Sequence, residues 1–405
     1  MEGIIADLHI HSRYSRATSK NINIENLVKY ARIKGLGMLG TGDFTHPLWL
    51  SELKNKLKDN NEGICYYDDF PFILTTELSL IYTEGKGRRI HLVLLAPSIE
   101  VVEQINSWLL KKGRLDYDGR PIFNMSCTEF TEGIIKIDEN IEIIPAHAWT
   151  PWFGIFGSMS GFNSLKEAFH EYTGKIHAIE TGMSSSPDMN WRLSELNEKA
   201  IISFSDAHSF WPFRLGREAT IFNGNVNNLK YSEIIKQIRE NSFLGTIETD
   251  PAYGKYHFDG HRLCNFSSSP QESKKLNNIC PICHKPLIIG VENRVEELAD
   301  NPKGFKPKNA KPFFKILPLH ELIASIRASS ITSKKVWDEY NRVINSLGSE
   351  LDILLNTEKE KLSKVADEKL VSMIMLNREG KIKVKPGYDG VYGEALLQEK
   401  QAKLF

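Results

Sequence analysis

The sequence predicts an α/β protein whose first 245 or so residues form a parallel, barrel-like sheet. Two observations carry this. Short apolar runs recur through this stretch, and most of them lead into a His, Asp or Glu, as the C-terminal ends of buried parallel strands do. Segments with helical spacing alternate with them. A shift in composition near residue 250 marks further domains behind the first.

Taken in order, Gly3-Ile4-Ile5-Ala6 leads into Asp7-Leu8-His9-Ile10-His11. Asn23 to Lys34 reads as a helix, with Ile24, Leu27, Val28 and Ala31 on one face and Gly35 as its stop. Leu36 to Gly40 is a short strand followed by Asp43, and Phe72 to Thr76 leads into Glu77. His91 to Ala96 is another buried run that starts on a histidine. Ile141 to Ile144 precedes His147, Ile176 to Ile179 precedes Glu180, and Ala200 to Phe204 precedes Ser205-Asp206-Ala207-His208.

The chain has 405 residues, 41% hydrophobic and 25% charged, which is an ordinary globular composition with room for two or three domains. No apolar run approaches the roughly 18–20 residues of a membrane span, and no basic-then-apolar leader opens the chain, so no membrane partner is expected. Five cysteines fit a reducing cytoplasm better than a disulfide framework. Lys plus Arg and Asp plus Glu both number 51, so net charge gives no support for non-specific nucleic-acid binding by the whole molecule. The expected division is a catalytic barrel over 1–248, a zinc-binding segment over 249–295, a helical domain over 296–395 and a flexible tail over 396–405.

His9 and His11, two apart at an extended strand end, point the same way and suit one metal. A lone histidine is more often a core residue. The set of His9, His11, Glu77, His91, His147, Glu180, Asp206 and His208, all beside apolar strands, points instead to a multi-metal hydrolase with carboxylates bridging divalent ions. A second pattern, His261-x2-Cys264 with Cys280-x2-Cys283, fits one tetrahedral structural zinc, and His257 and His284 compete for the fourth ligand. Cys65 and Cys127 have no partner pattern.

Asp7-Leu8-His9-Ile10-His11-Ser12, with Glu77, His147 and Ser205-Asp206-Ala207-His208, resembles the polymerase-and-histidinol-phosphatase (PHP) family. The resemblance covers roughly the first 240 residues. It implies a distorted (β/α)7 barrel holding two or three divalent metals (Zn, Mg or Mn) at its C-terminal rim for phosphoester hydrolysis. Two departures stand out. Thr41-Gly42-Asp43-Phe44 replaces the family's Thr-Asp-His-Asp, so Asp43 is expected to ligate through oxygen where the family has histidine. Arg16-Ala17 occupies a stretch where many members place another histidine. Both changes bear on the third metal. Asp206 is the expected critical carboxylate, as metal ligand and candidate general base.

The loop from Pro145 to Phe162 carries Trp149, Trp152, Phe153 and Phe156 directly behind His147. Trp191-Arg192 and the stretch holding Arg214 and Arg217 repeat the aromatic-plus-arginine mixture. The functional reading is a stacking and phosphate-gripping surface for a base taken out of a duplex. The alternatives are packing against neighbouring loops and an ion pair with Glu218. Lysines 303, 306, 308, 311 and 315 either track a phosphate backbone or are simply solvated.

Over its whole length the chain resembles the endonuclease Q family. The matching features are the Pro145–Phe162 loop, Gly254-Lys255-Tyr256-His257, Asp259-Gly260-His261-Arg262, Ile279 to Cys283, Arg294 to Asp300 and Lys385 to Gly390. The resemblance implies a DNA endonuclease that flips a deaminated base (uracil, hypoxanthine, xanthine) or an abasic site into a pocket. It nicks 5′ of the lesion and leaves 3′-hydroxyl and 5′-phosphate ends. It also makes 296–395 a DNA-binding domain. Gln401-x-x-Leu404-Phe405 resembles the bacterial sliding-clamp-binding pentapeptide, which names the clamp as a second partner. Two rival readings remain: a phosphatase acting on a small monoester, and a non-catalytic, helicase-associated DNA-binding module.

Overall fold

The computed structural model describes residues 3–396. In chain order the first part of the structure runs through β1 (Ile4–Asp7), α1 (Ile24–Lys34), β2 (Met38–Gly40), α2 (Pro47–Lys56), β3 (Phe70–Glu84), β4 (Lys86–Ala96), α3 (Ile99–Leu110), α4 (Cys127–Ile137) and β5 (Glu142–Pro145). Next come β6 (Ala178–Glu180), β7 (Ala200–Ile202), β8 (Ala219–Phe222), α5 (Tyr231–Arg239) and β9 (Gly245–Glu248). The expected first helix has the expected ends: the Asn23 side chain accepts from the Asn26 amide, and Gly35 closes it in the left-handed region at φ 96°.

The sheet is mixed rather than uniformly parallel. β1 pairs parallel with β2, and β2 with β3. The long β3–β4 ribbon is antiparallel, as are β4–β5, β1–β8 and β8–β9. β6 and β7 form a separate parallel pair. It is tied to β5 by the Ala148 amide on the Glu180 carbonyl (2.9 Å) and to β8 by the Ser203 amide on Thr220 Oγ1 (3.1 Å). The ribbon explains why His91 does not follow the strand-end rule: it lies within β4, opposite Ser79 of β3.

Alternate residues of these strands face two different cores. Ile4, Ala6, Met38, Ile73, Val93, Ile144, Ala178, Ile202 and Phe222 converge in one cluster, closed by Ile234, Ile235 and Ile238 of α5. Their neighbours, such as Leu39, Leu74, Leu92, Ile143, Ile179 and Ile221, belong to a larger cluster shared with α1, α3 and α4. Strands with apolar residues on both faces read as unbroken apolar runs, which is the pattern the sequence carries.

Beyond residue 250, β10 (Asp259–His261) and β11 (Phe266–Ser268) make a small hairpin, followed by α6 (Val291–Leu298). β12 (Phe313–Lys315) then returns to the main sheet, parallel to β9, so the stretch expected to be helical also lends a strand to the barrel sheet. Helices α7 (Leu319–Ile326), α8 (Lys334–Leu347), α9 (Glu350–Leu355) and α10 (Glu368–Arg378) follow. The last strands, β13 (Lys383–Lys385) and β14 (Glu394–Leu396), pair with each other. The turn between them folds back on the zinc-type segment, where the Phe258 amide bonds the Gly387 carbonyl and the Gly387 amide bonds the Ala252 carbonyl, both at 2.9 Å. Among the described residues no helix is long and apolar enough to cross a membrane. The clamp-type residues Gln401, Leu404 and Phe405 lie outside the described residues.

Candidate metal centre and cleft

Six of the nine expected ligands meet. His9, His11, Glu77 and Asp206 form one group and Glu77, His91 and His147 another, with ligand atoms in each within 4.8 Å of one another. Glu77 belongs to both. Its Oε2 lies 3.2 Å from His11 Nε2 and 3.6 Å from His9 Nε2. Its Oε1 lies 2.7 Å from His91 Nδ1 and 3.2 Å from His147 Nε2. Asp206 Oδ1 is 3.0 Å from His11 Nε2 and 3.7 Å from His9 Nε2.

The donor set fits divalent cations. His9 Nε2, His11 Nε2 and Asp206 Oδ1 are buried, face one another and have no hydrogen-bond partner among the described residues. Three such atoms would be costly to bury unless a cation satisfies them. Burial works against the Glu77 charge, but His91, Arg120 and His9 hold the carboxyl well below its usual range. Asp206 is likewise held well below, against its burial, by His208, His11 and His9.

The other three expected ligands, Asp43, Glu180 and His208, stand behind or beside these two groups. Asp43 uses Oδ1 to receive His11 Nδ1 at 2.9 Å and Oδ2 to receive the Ser12 amide (2.6 Å) and Ser15 hydroxyl (2.8 Å). In that position it would keep the His11 proton on Nδ1 and leave Nε2 facing the group, as an orienting carboxylate does. Glu180 does the same for His9, with its oxygens 2.9 and 3.1 Å from His9 Nδ1. It also accepts the His147 amide at 2.7 Å. The pairing accounts for His9 and His11: burial would lower both, yet the neighbouring carboxylates raise both well above the ordinary imidazole value. His208 sits outside both groups, its ring 4.6 Å from the His11 ring and its Nδ1 2.9 Å from the Asp206 carbonyl.

Several of these residues occupy strained backbone. Asp43, His147 and Asp206 have φ of 46°, 30° and 49°, in the left-handed region that non-glycine residues rarely adopt. Gly182 makes room for His147, because a Cβ there would fall 2.6 Å from the His147 Cβ. Asp7 ties the Asp206 loop to the end of β1 by accepting the Ser205 amide (3.0 Å), Ser205 hydroxyl (2.5 Å) and Gly216 amide (2.8 Å).

A cleft of about 520 Å³ opens over this centre. Trp152, Phe153, Tyr256 and Tyr392 wall it, with Lys255 and Arg217 among its polar groups. Of the eight residues expected to contact a lesion, only Trp152, Phe153 and Arg217 line it. Trp149 and Phe156 are fully buried and pack against each other with ring centres 4.9 Å apart, so the loop uses them as core. Trp191 is buried against Phe313. Arg192 donates to the Asn301 carbonyl, and Arg214 faces Glu321 at 3.7 Å. Arg217 donates to the Ser205 carbonyl.

Sequence reasoning missed Arg120, whose Nη1 donates to Glu77 Oε2 at 2.9 Å from the cleft wall. A lone arginine in a loop carries no spacing signature. Tyr256 and Tyr392 were missed as wall residues for the same reason.

Of the rival zinc-type sets, the structure brings together His261, Cys264, Cys280 and Cys283, with ligand atoms within 4.8 Å of one another. His261 Nδ1 is 3.1 Å from Cys264 Sγ and 3.3 Å from Cys283 Sγ. His257 faces Glu292 instead, and His284 is exposed outside the group.

The family described as the MJ0043 C-terminal domain matches residues 318–381, the helical stretch α7–α10. The chain is 30% identical over 301 residues to uncharacterized protein MJ0043 of Methanocaldococcus jannaschii, covering 73% of this chain and 36% of that one, so it spans about a third of that relative. It is 26% identical over 414 residues to uncharacterized protein YqxK of Bacillus subtilis, covering 97% of this chain and 99% of that one. Two solved structures are similar over nearly the whole length, both at 32% identity. The lesion-specific endonuclease PfuEndoQ of Pyrococcus furiosus has a TM-score of 0.87, covering 99% of this chain and 97% of that one. An endonuclease Q in complex with a 27-mer duplex bearing an abasic lesion at the active site has a TM-score of 0.88, covering 99% and 98%.

Proposed function

The chain belongs to the endonuclease Q family, and from that footing we propose that it is a metal-dependent DNA endonuclease that nicks the strand 5′ of a deaminated base or abasic site. One observation carries the reading beyond the family: a carboxylate shared by two ligand groups lies beneath a cleft walled by Trp152, Phe153, Tyr256 and Tyr392.

His9, His11, Glu77 and Asp206 would hold one divalent cation, and Glu77, His91 and His147 a second, with Zn²⁺, Mn²⁺ and Mg²⁺ as candidates. Cations bound there supply an acidified water and neutralise charge on the phosphate. In the hydrolysis, a water oxygen bonds to phosphorus and the P–O3′ bond breaks. The 3′ oxygen leaves with the bonding pair and takes a proton. Asp43 and Glu180 keep His11 and His9 in the ligating tautomer. His208, His11 and His9 hold the Asp206 carboxyl well below its usual range, which suits a metal ligand. Trp152 and Tyr256, with ring centres 5.9 Å apart, offer faces for an extruded base. The Cys3His group is assigned a structural zinc, and residues 296–395 and the lysines of 303–315 a role on the DNA backbone. A DNA substrate favours a cytoplasmic site of action.

The test is a panel of labelled duplexes carrying uracil, hypoxanthine, xanthine, an abasic site or no lesion, with Mg²⁺ or Mn²⁺. Nicking 5′ of at least one lesion, lost in Asp206→Ala, supports the reading. Hydrolysis of small phosphate monoesters without nicking overturns it.

A further inference from the structure

We propose that Arg120 is a catalytic residue whose guanidinium grips the scissile phosphate and supplies, in place of a third cation, the extra positive charge of the site. The proposal rests on the phosphodiesterase reading above. Its first ground is position. Arg120 lines the cleft with His91, His147, Asp206 and His208, and its side chain is about a quarter exposed (24%). Nη1 is engaged by Glu77, while the remaining guanidinium N–H groups have no acceptor among the described residues. A planar fork with free donors beside two ligand groups is matched to two phosphate oxygens.

The second ground is that Asp43, the carboxylate expected at a third cation, is already occupied. Both oxygens of Asp43 are engaged by His11, Ser12 and Ser15. The third is that the surrounding fold delivers Arg120 deliberately. Asp118 accepts the backbone amides of both Arg16 and Arg120 at 3.2 Å, and the Thr45 hydroxyl donates to the Gly119 carbonyl. Gly119 lies so close to Asp43 that a Cβ would fall 2.2 Å from its Oδ2. The loop therefore presses bare backbone onto the carboxylate behind His11 and turns the next side chain into the cleft. Hydrolysis places added negative charge on the non-bridging oxygens as the new P–O bond forms and the P–O3′ bond breaks, and a preset cation there favours the transition state over the bound substrate.

The experiment compares the metal-loaded wild type with Arg120→Ala and Arg120→Lys. It reads single-turnover nicking of a lesion duplex, hydrolysis of bis(p-nitrophenyl) phosphate, bound metal by mass spectrometry and inorganic phosphate affinity by calorimetry. Arg120→Ala is expected to lose at least about a hundredfold in rate on both substrates. It should keep wild-type metal content, bind phosphate more weakly and recover partial rate with added guanidinium. Arg120→Lys is expected to restore a minor part, since it returns the charge without the fork. Unchanged rates overturn the proposal. So does loss of bound metal in Arg120→Ala, which would make the residue a positioning partner of Glu77. A wild type that hydrolyses the small diester but cuts no duplex overturns the DNA reading alone, and the Arg120 comparison is then read on the small diester.

Discussion

Lys34 Nζ lies 2.8 Å from Glu350 Oε1, and both side chains are almost fully buried. The lysine comes from the C-terminal end of α1 under the barrel sheet and the glutamate from α9, so one ion pair joins segments 316 residues apart. Both ends are well satisfied: Lys34 also donates to the Pro212 carbonyl, and Glu350 accepts from the Tyr340 hydroxyl and the Leu319 amide. Removing one partner strands a charge. Lys34→Met is expected to cost about 3–5 kcal/mol, and the double variant with Glu350→Leu to recover much of it. Urea unfolding of the four proteins of the cycle measures both numbers.

Asp43 gives a second prediction. Asp43→Asn keeps the shape of the side chain but removes the charge that holds the His11 proton on Nδ1. Affinity of the centre for its cation is expected to fall about 10–100-fold, with little change in thermal stability of the metal-free protein. Competition with a chromophoric chelator reads the affinity. An unchanged value would show that Asp43 does not orient His11.

The contrast between Asp43 and His9 shows what the sequence discloses. His9, His11, His147 and Asp206 were legible because each follows an apolar run, and strand ends that share a rim bring their side chains together. The same cue picked out Asp43 and Glu180 without their role, since spacing cannot say which imidazole nitrogen a carboxylate faces. His261 could be separated from His257 and His284 only by the fold of the β10–β11 hairpin. Arg120 was invisible because a loop arginine has no period to betray it. Lys34 looked like an ordinary helix-end lysine, because its partner is remote in sequence.

Glu248 and Glu218 carry a pH dependence of stability. Burial pushes the Glu248 carboxyl up to about 8 from 4.5, although Thr246, Thr181 and Ser203 donate to it. Burial, and then the charge of Glu248, raise Glu218 in the same direction. A raised acid keeps its proton in the folded chain where the unfolded chain has lost it. Its contribution is therefore unpenalised below about pH 4.5, and stability falls as pH climbs toward 8, by at most about 1.4 kcal/mol per pH unit for each group. Glu248→Gln is expected to flatten that slope and to raise the melting temperature at pH 8 more than at pH 5. A parallel shift at both pH values would count against the assignment.

The Pro145–Phe162 loop yields a prediction in which two tryptophans three residues apart part company. Trp149 is fully buried, packs against Phe156 and donates its indole N–H to Asn190 Oδ1 at 2.6 Å. Trp149→Ala is expected to destabilise the protein by about 3–5 kcal/mol and to lower nicking of every lesion in proportion to the folded fraction. Trp152 is only partly buried, on the cleft wall against Tyr256. Its loss should leave the melting temperature nearly unchanged and weaken binding of lesion-bearing duplex by about 1–3 kcal/mol, the usual worth of one base–aromatic stack. An abasic site offers no base to stack, so Trp152→Ala should spare abasic duplexes relative to those carrying uracil or hypoxanthine. Nicking rates of the two variants on the two duplex classes, read beside their melting curves, separate a core tryptophan from one that meets the substrate. Equal loss on abasic and base-bearing duplexes would remove Trp152 from the recognition surface.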